Sequence, residues 1–149
     1  MPGIDACLQE AMSLPGARGA AIVDWTSGLA LGTAGESPGG DHEATAAETA
    51  ELARAAAEYT AFAPTAAAGR SLSGPAGGTD AETDSDDQDK GPPVEDLIVT
   101  SRTGYHILSF VETTFDSSVF LYLWLDRDTG NLALARLRLG QLAERLVLG

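Results

Sequence analysis

The sequence predicts an α/β fold, a five-stranded antiparallel sheet sandwiched by helices in the order α-β-β-α-β-β-β-α. Three observations carry it. Residues 119–126 alternate Val119, Leu121, Leu123 and Leu125 with Phe120, Tyr122 and Trp124, so this strand is apolar on both faces and needs a cover on each. Two short strand pairs flank Gly-containing turns, at 20–33 and 95–111. Amphipathic helical patterns stand before, between and after those strands.

The first helix is expected at 4–14, where Ile4, Cys7, Leu8 and Ala11 share a face and Pro15-Gly16 ends the run. Cys7 lies inside that stripe, where a free cysteine acts as a small hydrophobe rather than a nucleophile. Residues 20–25 form a strand, Thr26-Ser27-Gly28 a turn, and 29–33 the antiparallel partner. Gly32 marks a bulge or a close helix approach, and Asp24 beside the turn is a turn-stabilising carboxylate.

Asp41 caps a second helix expected to reach Ala63, stopped by Pro64. It has two apolar stripes. Leu52, Ala56, Tyr59 and Ala63 suit a sheet, while Ala46, Ala50, Ala53 and Ala57 would let a second helix approach closely. Glu48, Glu51, Arg54 and Glu58 fill the remaining arc. Residues 64–93 change character, with Leu72 the only large aliphatic residue and an acidic run at 80–90. So little apolar surface cannot offset the entropy of ordering, so this segment is expected to be a disordered acidic insertion in an otherwise single domain, 1–149.

The strands at 95–101 and 105–111 are joined by Arg102-Thr103-Gly104, with Gly104 expected to supply a positive φ. After the strand at 119–126, Asp128 or Thr129 caps a last helix to Leu148, whose buried stripe is Leu132, Ala135, Leu139, Leu142 and Leu146. Leu134 and Leu137 lie among arginines, either as a contact surface or packed on the first helix.

Composition excludes several classes of function. A net charge of −13 would repel nucleic acid and anionic lipid. One cysteine rules out an intramolecular disulfide or a multi-cysteine zinc site. No run is apolar enough to insert in a membrane, and no secretory signal opens the chain, so a cytoplasmic location is expected. There is no P-loop and no dinucleotide-binding turn, and the lone lysine, Lys90, lies in the polar segment. His42 and His106 fall on different elements without a second ligand at metal spacing, and no serine sits in a nucleophile elbow. No catalytic, cofactor-binding or metal-binding residue is therefore assigned.

The stretch Leu14-Pro15-Gly16-Ala17-Arg18-Gly19-Ala20-Ala21-Ile22-Val23-Asp24, followed by Ser27-Gly28-Leu29-Ala30-Leu31-Gly32, resembles the opening hairpin of the roadblock / dynein light chain family. Glu95-Asp96-Leu97-Ile98-Val99-Thr100, Tyr105-His106-Ile107-Leu108, Phe120-Leu121-Tyr122-Leu123-Trp124-Leu125-Asp126 and Asn131-Leu132-Ala133-Leu134-Ala135-Arg136 are similar to its second half. The resemblance spans nearly all of the chain outside 64–93. It implies a profilin- and longin-like sandwich and a homodimer whose second helices pack together and whose third strands pair. The implied interface is Ala46, Ala50, Ala53 and Ala57 with Leu97 and Val99. In the bacterial branch it implies a non-enzymatic regulator or scaffold of a small Ras-like GTPase, without cofactor. A small-molecule sensor or structural adaptor on the same sandwich is the alternative. The acidic insertion departs from the family pattern just before the pairing strand.

Overall fold

The structure, a computed structural model, describes residues 3–62, 94–111 and 118–148. The expected insertion at 64–93 lies outside them. Among the described residues the order is α1 (Ile4–Met12), β1 (Ala17–Asp24), β2 (Leu29–Gly35), α2 (His42–Glu58), a 3-10 turn (Thr60–Phe62), β3 (Asp96–Thr100), β4 (Gly104–Val111), β5 (Val119–Asp126) and α3 (Leu132–Leu148). The five strands make one antiparallel sheet in the order β2-β1-β5-β4-β3. The strand apolar on both faces, β5, is therefore the central one, and β2 and β3 are the edges.

Alternation along β5 sorts the core into two layers. Leu121, Leu123 and Leu125 face α1 and α3, joining Leu8, Ala11, Ile22, Ile107, Ala135, Leu139 and Leu142 in one cluster. Phe120 and Tyr122 face α2, with Ala21, Val23, Leu108 and Phe110. Each fully buried leucine of the first layer contributes about 1.5–3 kcal/mol of hydrophobic stabilisation. The α3 stripe packs as its spacing predicts, with Leu139 fully buried, and Leu134 also packs into that layer while Leu137 stays exposed. Arg145 of α3 donates to both carboxylate oxygens of Glu10 on α1, at 3.0 and 2.8 Å. The pair is solvent-exposed, so it orients the two helices more than it stabilises them.

Four local expectations are corrected. The β3–β4 turn needs no positive φ at Gly104. Ser101 closes it, its N–H donating to the Gly104 carbonyl at 2.8 Å and its Oγ accepting from the Gly104 N–H at 3.0 Å. Gly104 is small for another reason: a Cβ there would stand 2.7 Å from the Leu125 carbonyl oxygen. The cap of α3 is Asn131, whose Oδ1 accepts from Leu134 N at 3.0 Å, while Asp126 holds the preceding turn through the N–H groups of Asp128 and Thr129. α1 stops at Met12, two residues short of Leu14. α2 ends at Glu58, because Tyr59 is extended (φ −69°, ψ 135°), and the chain continues as the 3-10 turn.

Gly32 serves in both expected ways. The β1–β2 register shifts between Ile22 and Val23, opposite Gly32 and Ala30, and a Cβ on Gly32 would meet Ile4 Cγ2 at 2.4 Å. α1 can lie this close only over a residue without a side chain. Asp24 is the expected turn carboxylate. Its Oδ1 accepts from Thr26 N at 3.0 Å, Thr26 Oγ1 at 2.7 Å and Ser118 Oγ at 3.0 Å. Desolvation pushes its pKa up, but these hydrogen bonds outweigh it and hold the group below its ordinary value. Cys7 is buried as expected, and burial, then the nearby Glu10 charge, raises its thiol pKa.

Candidate partner-binding face

The two stripes of α2 exchange the roles their composition suggests. Ala46, Ala50 and Ala53 are 2, 0 and 0% exposed, seated on the chain's own sheet, and Ala57 packs against the same cluster. Small side chains bring the helix axis down onto β1 and β2, whose facing residues include Ala21 and Ala30. Ala46, Ala50 and Ala53 are thus core within the protomer, and Ala57 lies half-buried at its margin. Leu52 and Tyr59 instead stand 41 and 60% exposed on the flank of α2, with Ala56 of the same stripe buried. Period alone could not decide this, since neighbouring helical stripes both satisfy it. The sheet's own small residues decide, because alanine against alanine permits the closest approach.

α2 lies over β1 and β2, and beyond it the same face of β5, β4 and β3 carries a row of larger groups. Register places Val99 opposite His106 and His106 opposite Trp124. His106 stacks on Trp124 with ring centroids 6.3 Å apart and planes 7° from parallel, and on Tyr122 at 6.1 Å. The guanidinium of Arg18 lies over the far side of the row, 4.1 Å from the Trp124 centroid, and pairs with Glu36 at 3.1 Å. Leu97 packs at the margin of the α2-side core, and Val99, 39% exposed, stands on β3, an edge strand among the described residues. The expected strand residues Leu97 and Val99 therefore do lie at an edge, beside an incompletely covered aromatic row.

Between this row and the first two turns of α2 is a cleft of about 230 Å³, lined among others by Asp41, Thr45, Glu48, Thr49, His106 and Tyr122. Asp41 Oδ1 caps α2 through Glu43 N and Ala44 N. Thr45 Oγ1 bonds to Ser37 Oγ at 2.7 Å and Thr49 Oγ1 donates to the Thr45 carbonyl at 2.8 Å, so both hydroxyls are committed internally. The floor is the pair His106 Nδ1 and Tyr122 Oη, 2.9 Å apart. Burial lowers the His106 pKa, favouring the neutral ring, and burial raises that of the Tyr122 hydroxyl. His42, on α2, contacts the Gly35 carbonyl through Nε2 at 3.1 Å and does not line this cleft. Among the described residues no group of three or more His, Cys, Asp and Glu is placed to hold a metal ion, and no helix is long and apolar enough to cross a membrane. Sequence reasoning missed the row itself; its signal was the three aromatic and imidazole side chains that strand alternation puts on one face.

A five-stranded antiparallel sheet ordered β2-β1-β5-β4-β3, with α2 on one face and α1 and α3 on the other, is the roadblock fold. Solved structures with the same arrangement include MglB from Myxococcus xanthus, 17% identical with a TM-score of 0.65 over 97% of this chain and 85% of that one. The gliding protein MglB from Thermus thermophilus is 16% identical, with a TM-score of 0.62 over 97% of this chain and 86% of that one. A Roadblock/LC7 domain from Streptomyces avermitilis is 19% identical, with a TM-score of 0.55 over 97 and 94% of the two chains. No protein-family model matches the sequence, and no curated protein sequence does.

Proposed function

We propose that this chain is a non-enzymatic regulator or scaffold of a small Ras-like GTPase, acting as a cytoplasmic homodimer. The observation that carries the proposal is the roadblock fold it has in common with MglB structures, together with the resemblance of its two hairpin regions to the GTPase-regulator branch of that family. Two surfaces are available for self-association: the β3 edge with Leu97 and Val99, which no described strand pairs, and the exposed flank of α2 with Leu52 and Tyr59. Pairing two β3 edges would satisfy backbone groups that a lone edge leaves to water. One structure of similar fold is described as MglB with a tetrameric arrangement. The cleft beside α2 is smaller than the roughly 300–1,000 Å³ typical of small-molecule sites, which counts against this cleft as a sensor site.

A regulator shifts its partner only by binding one of the partner's states more tightly. The test is calorimetry against a Ras-like GTPase from the same cell, loaded in turn with GDP and with a non-hydrolysable GTP analogue. Preference for one state is expected. Equal affinity would leave a passive scaffold, and binding to neither would sink the proposal.

A further inference from the structure

We infer that the outer face of α3, centred on Leu137, is a docking surface for an acidic amphipathic helix of a protein partner. α3 buries Ala135, Leu139 and Leu142 on the sheet face opposite α2. Leu137 points the other way and is 60% exposed, with Ala133 and Gly140 exposed beside it at i−4 and i+3. Gly140 weakens the helix relative to alanine. A Cβ there would meet no atom within 4 Å, so nothing in the protomer's own packing requires its absence. Close approach of another backbone would require it. The spacing of four and then three residues from Ala133 to Gly140 is that of a seam between helices lying side by side, which selects a helix over a strand.

Charge selects the occupant. α3 carries Arg136, Arg138 and Arg145 against Glu144 alone, while α1 and α2 each hold more acidic than basic residues. Arg136 and Arg138 flank Leu137 in sequence and so stand on either side of it around the helix. Arg136 commits only its Nε to Asp96, at 2.6 Å, and Arg138 has no ion-pair or hydrogen-bond partner among the described residues. A guanidinium has five N–H donors, so most of those on the two flanks are left for carboxylates of a partner. A second copy fits poorly, because α3 against α3 would bring arginine onto arginine. The net charge of −13 argues against nucleic acid and anionic lipid. That distant negative charge is screened beyond about 8 Å at physiological ionic strength, so at contact the arginines prevail. The inference goes beyond the proposed GTPase role and does not depend on it.

The test is NMR on the full chain, titrated with a synthetic peptide of about three heptads, leucine at a and d and glutamate at e and g. In a second arm lysine replaces the glutamates. Saturable shifts at the Ala133, Leu137, Gly140 and Gln141 amides are expected with the acidic peptide and not with the basic one. Leu137→Ser should weaken binding about tenfold with the circular dichroism unchanged, since the side chain already meets water. Gly140→Ala should raise Tm yet weaken binding, a pair of opposite signs that helix propensity alone does not give. Arg138→Glu should weaken binding too, whereas Arg54→Glu, the same charge change on an exposed residue of α2, should not. Absence of binding, shifts centred away from α3, or equal losses in the two arginine variants would overturn the inference. Concentration-dependent shifts at the same amides without peptide would give the face to a second copy and overturn it as well.

Discussion

Arg18 caps Trp124: its guanidinium carbon lies 4.1 Å from the centre of the indole, and the residue itself sits at the register shift between β1 and β5. The indole is thus neither core nor free surface. It is half-buried between His106 on one strand and an arginine from another. The cation–π contact is worth about 0.5–1 kcal/mol at a partly exposed site.

Trp124→Ala is therefore expected to cost about 2–3 kcal/mol in urea unfolding, below the range for a fully enclosed tryptophan. Arg18→Ala should cost no more than about 1 kcal/mol. A double-mutant cycle would show coupling, since both substitutions remove the same contact. Additivity within error would mean that the stack contributes nothing to stability.

The fold was legible because β5 carries its two faces in its own spelling: Leu121, Leu123 and Leu125 against Phe120, Tyr122 and Trp124 admit only a doubly covered central strand. The α3 stripe was legible for the same reason. The assignment of faces on α2 was not. Ala46–Ala50–Ala53 and Leu52–Tyr59 are both helical stripes, and only the small residues of β1 and β2 across the gap say which one seats on the sheet. Caps failed where several candidates compete within a few residues. Asp126 satisfies the N–H groups of Asp128 and Thr129, which leaves Asn131 to begin the helix.

The buried alanines give a prediction of opposite sign to an interface reading. Ala50 is 0% exposed, so Ala50→Glu forces a carboxylate into the α2-side core. An unpaired buried charge costs several kcal/mol. Circular dichroism should show loss of cooperative unfolding or a sharply lowered Tm at any protein concentration. A variant that unfolds like wild type and merely dissociates would place Ala50 at an interface after all.

Burial of His106 makes stability depend on pH. Its pKa is about 6.5 unfolded and lower when folded, so between those values the unfolded chain binds the extra proton. Stability should fall as pH drops below about 6.5 and level off below the folded value. The rings of Tyr122 and Trp124 stand against it, and Asp41 and Glu48 line the same cleft. His106→Gln should flatten that part of the profile. Equal slopes for wild type and variant between about pH 5 and 6.5 would assign the pH dependence to other groups.

Cys7 should be chemically silent until the chain opens. It is 7% exposed on α1, packed in the layer with Leu8, Ala11 and Leu139, and both burial and Glu10 hold its thiol above the ordinary pKa. The thiolate is the reactive form, so both effects slow attack. Labelling by a disulfide reagent at about pH 8 should be many-fold slower than in urea, and its rate should follow unfolding rather than reagent concentration. Fast, reagent-limited labelling of the native chain would mean that α1 lifts off the sheet without global unfolding.

Leu52 is the residue on which the proposed association turns, because it is large, apolar and 41% exposed on the flank of α2. Leu52→Glu removes apolar contact area and places a charge from each protomer near a two-fold contact, where like charges repel. The folded monomer loses little, since the side chain already meets water; a change within about 0.5 kcal/mol is expected in the monomer's own stability. Sedimentation of wild type should show a dimer, and Leu52→Glu should shift it toward monomer with the circular dichroism unchanged. Added salt screens the repulsion but does not restore the lost apolar contact, so about 0.5 M sodium chloride, where the Debye length is near 4 Å, should recover dimer only in part. Full dimer in Leu52→Glu would exclude this flank of α2 and leave the β3 edge, with Leu97 and Val99, to carry association alone. A monomeric wild type at high concentration would dismiss the dimer itself.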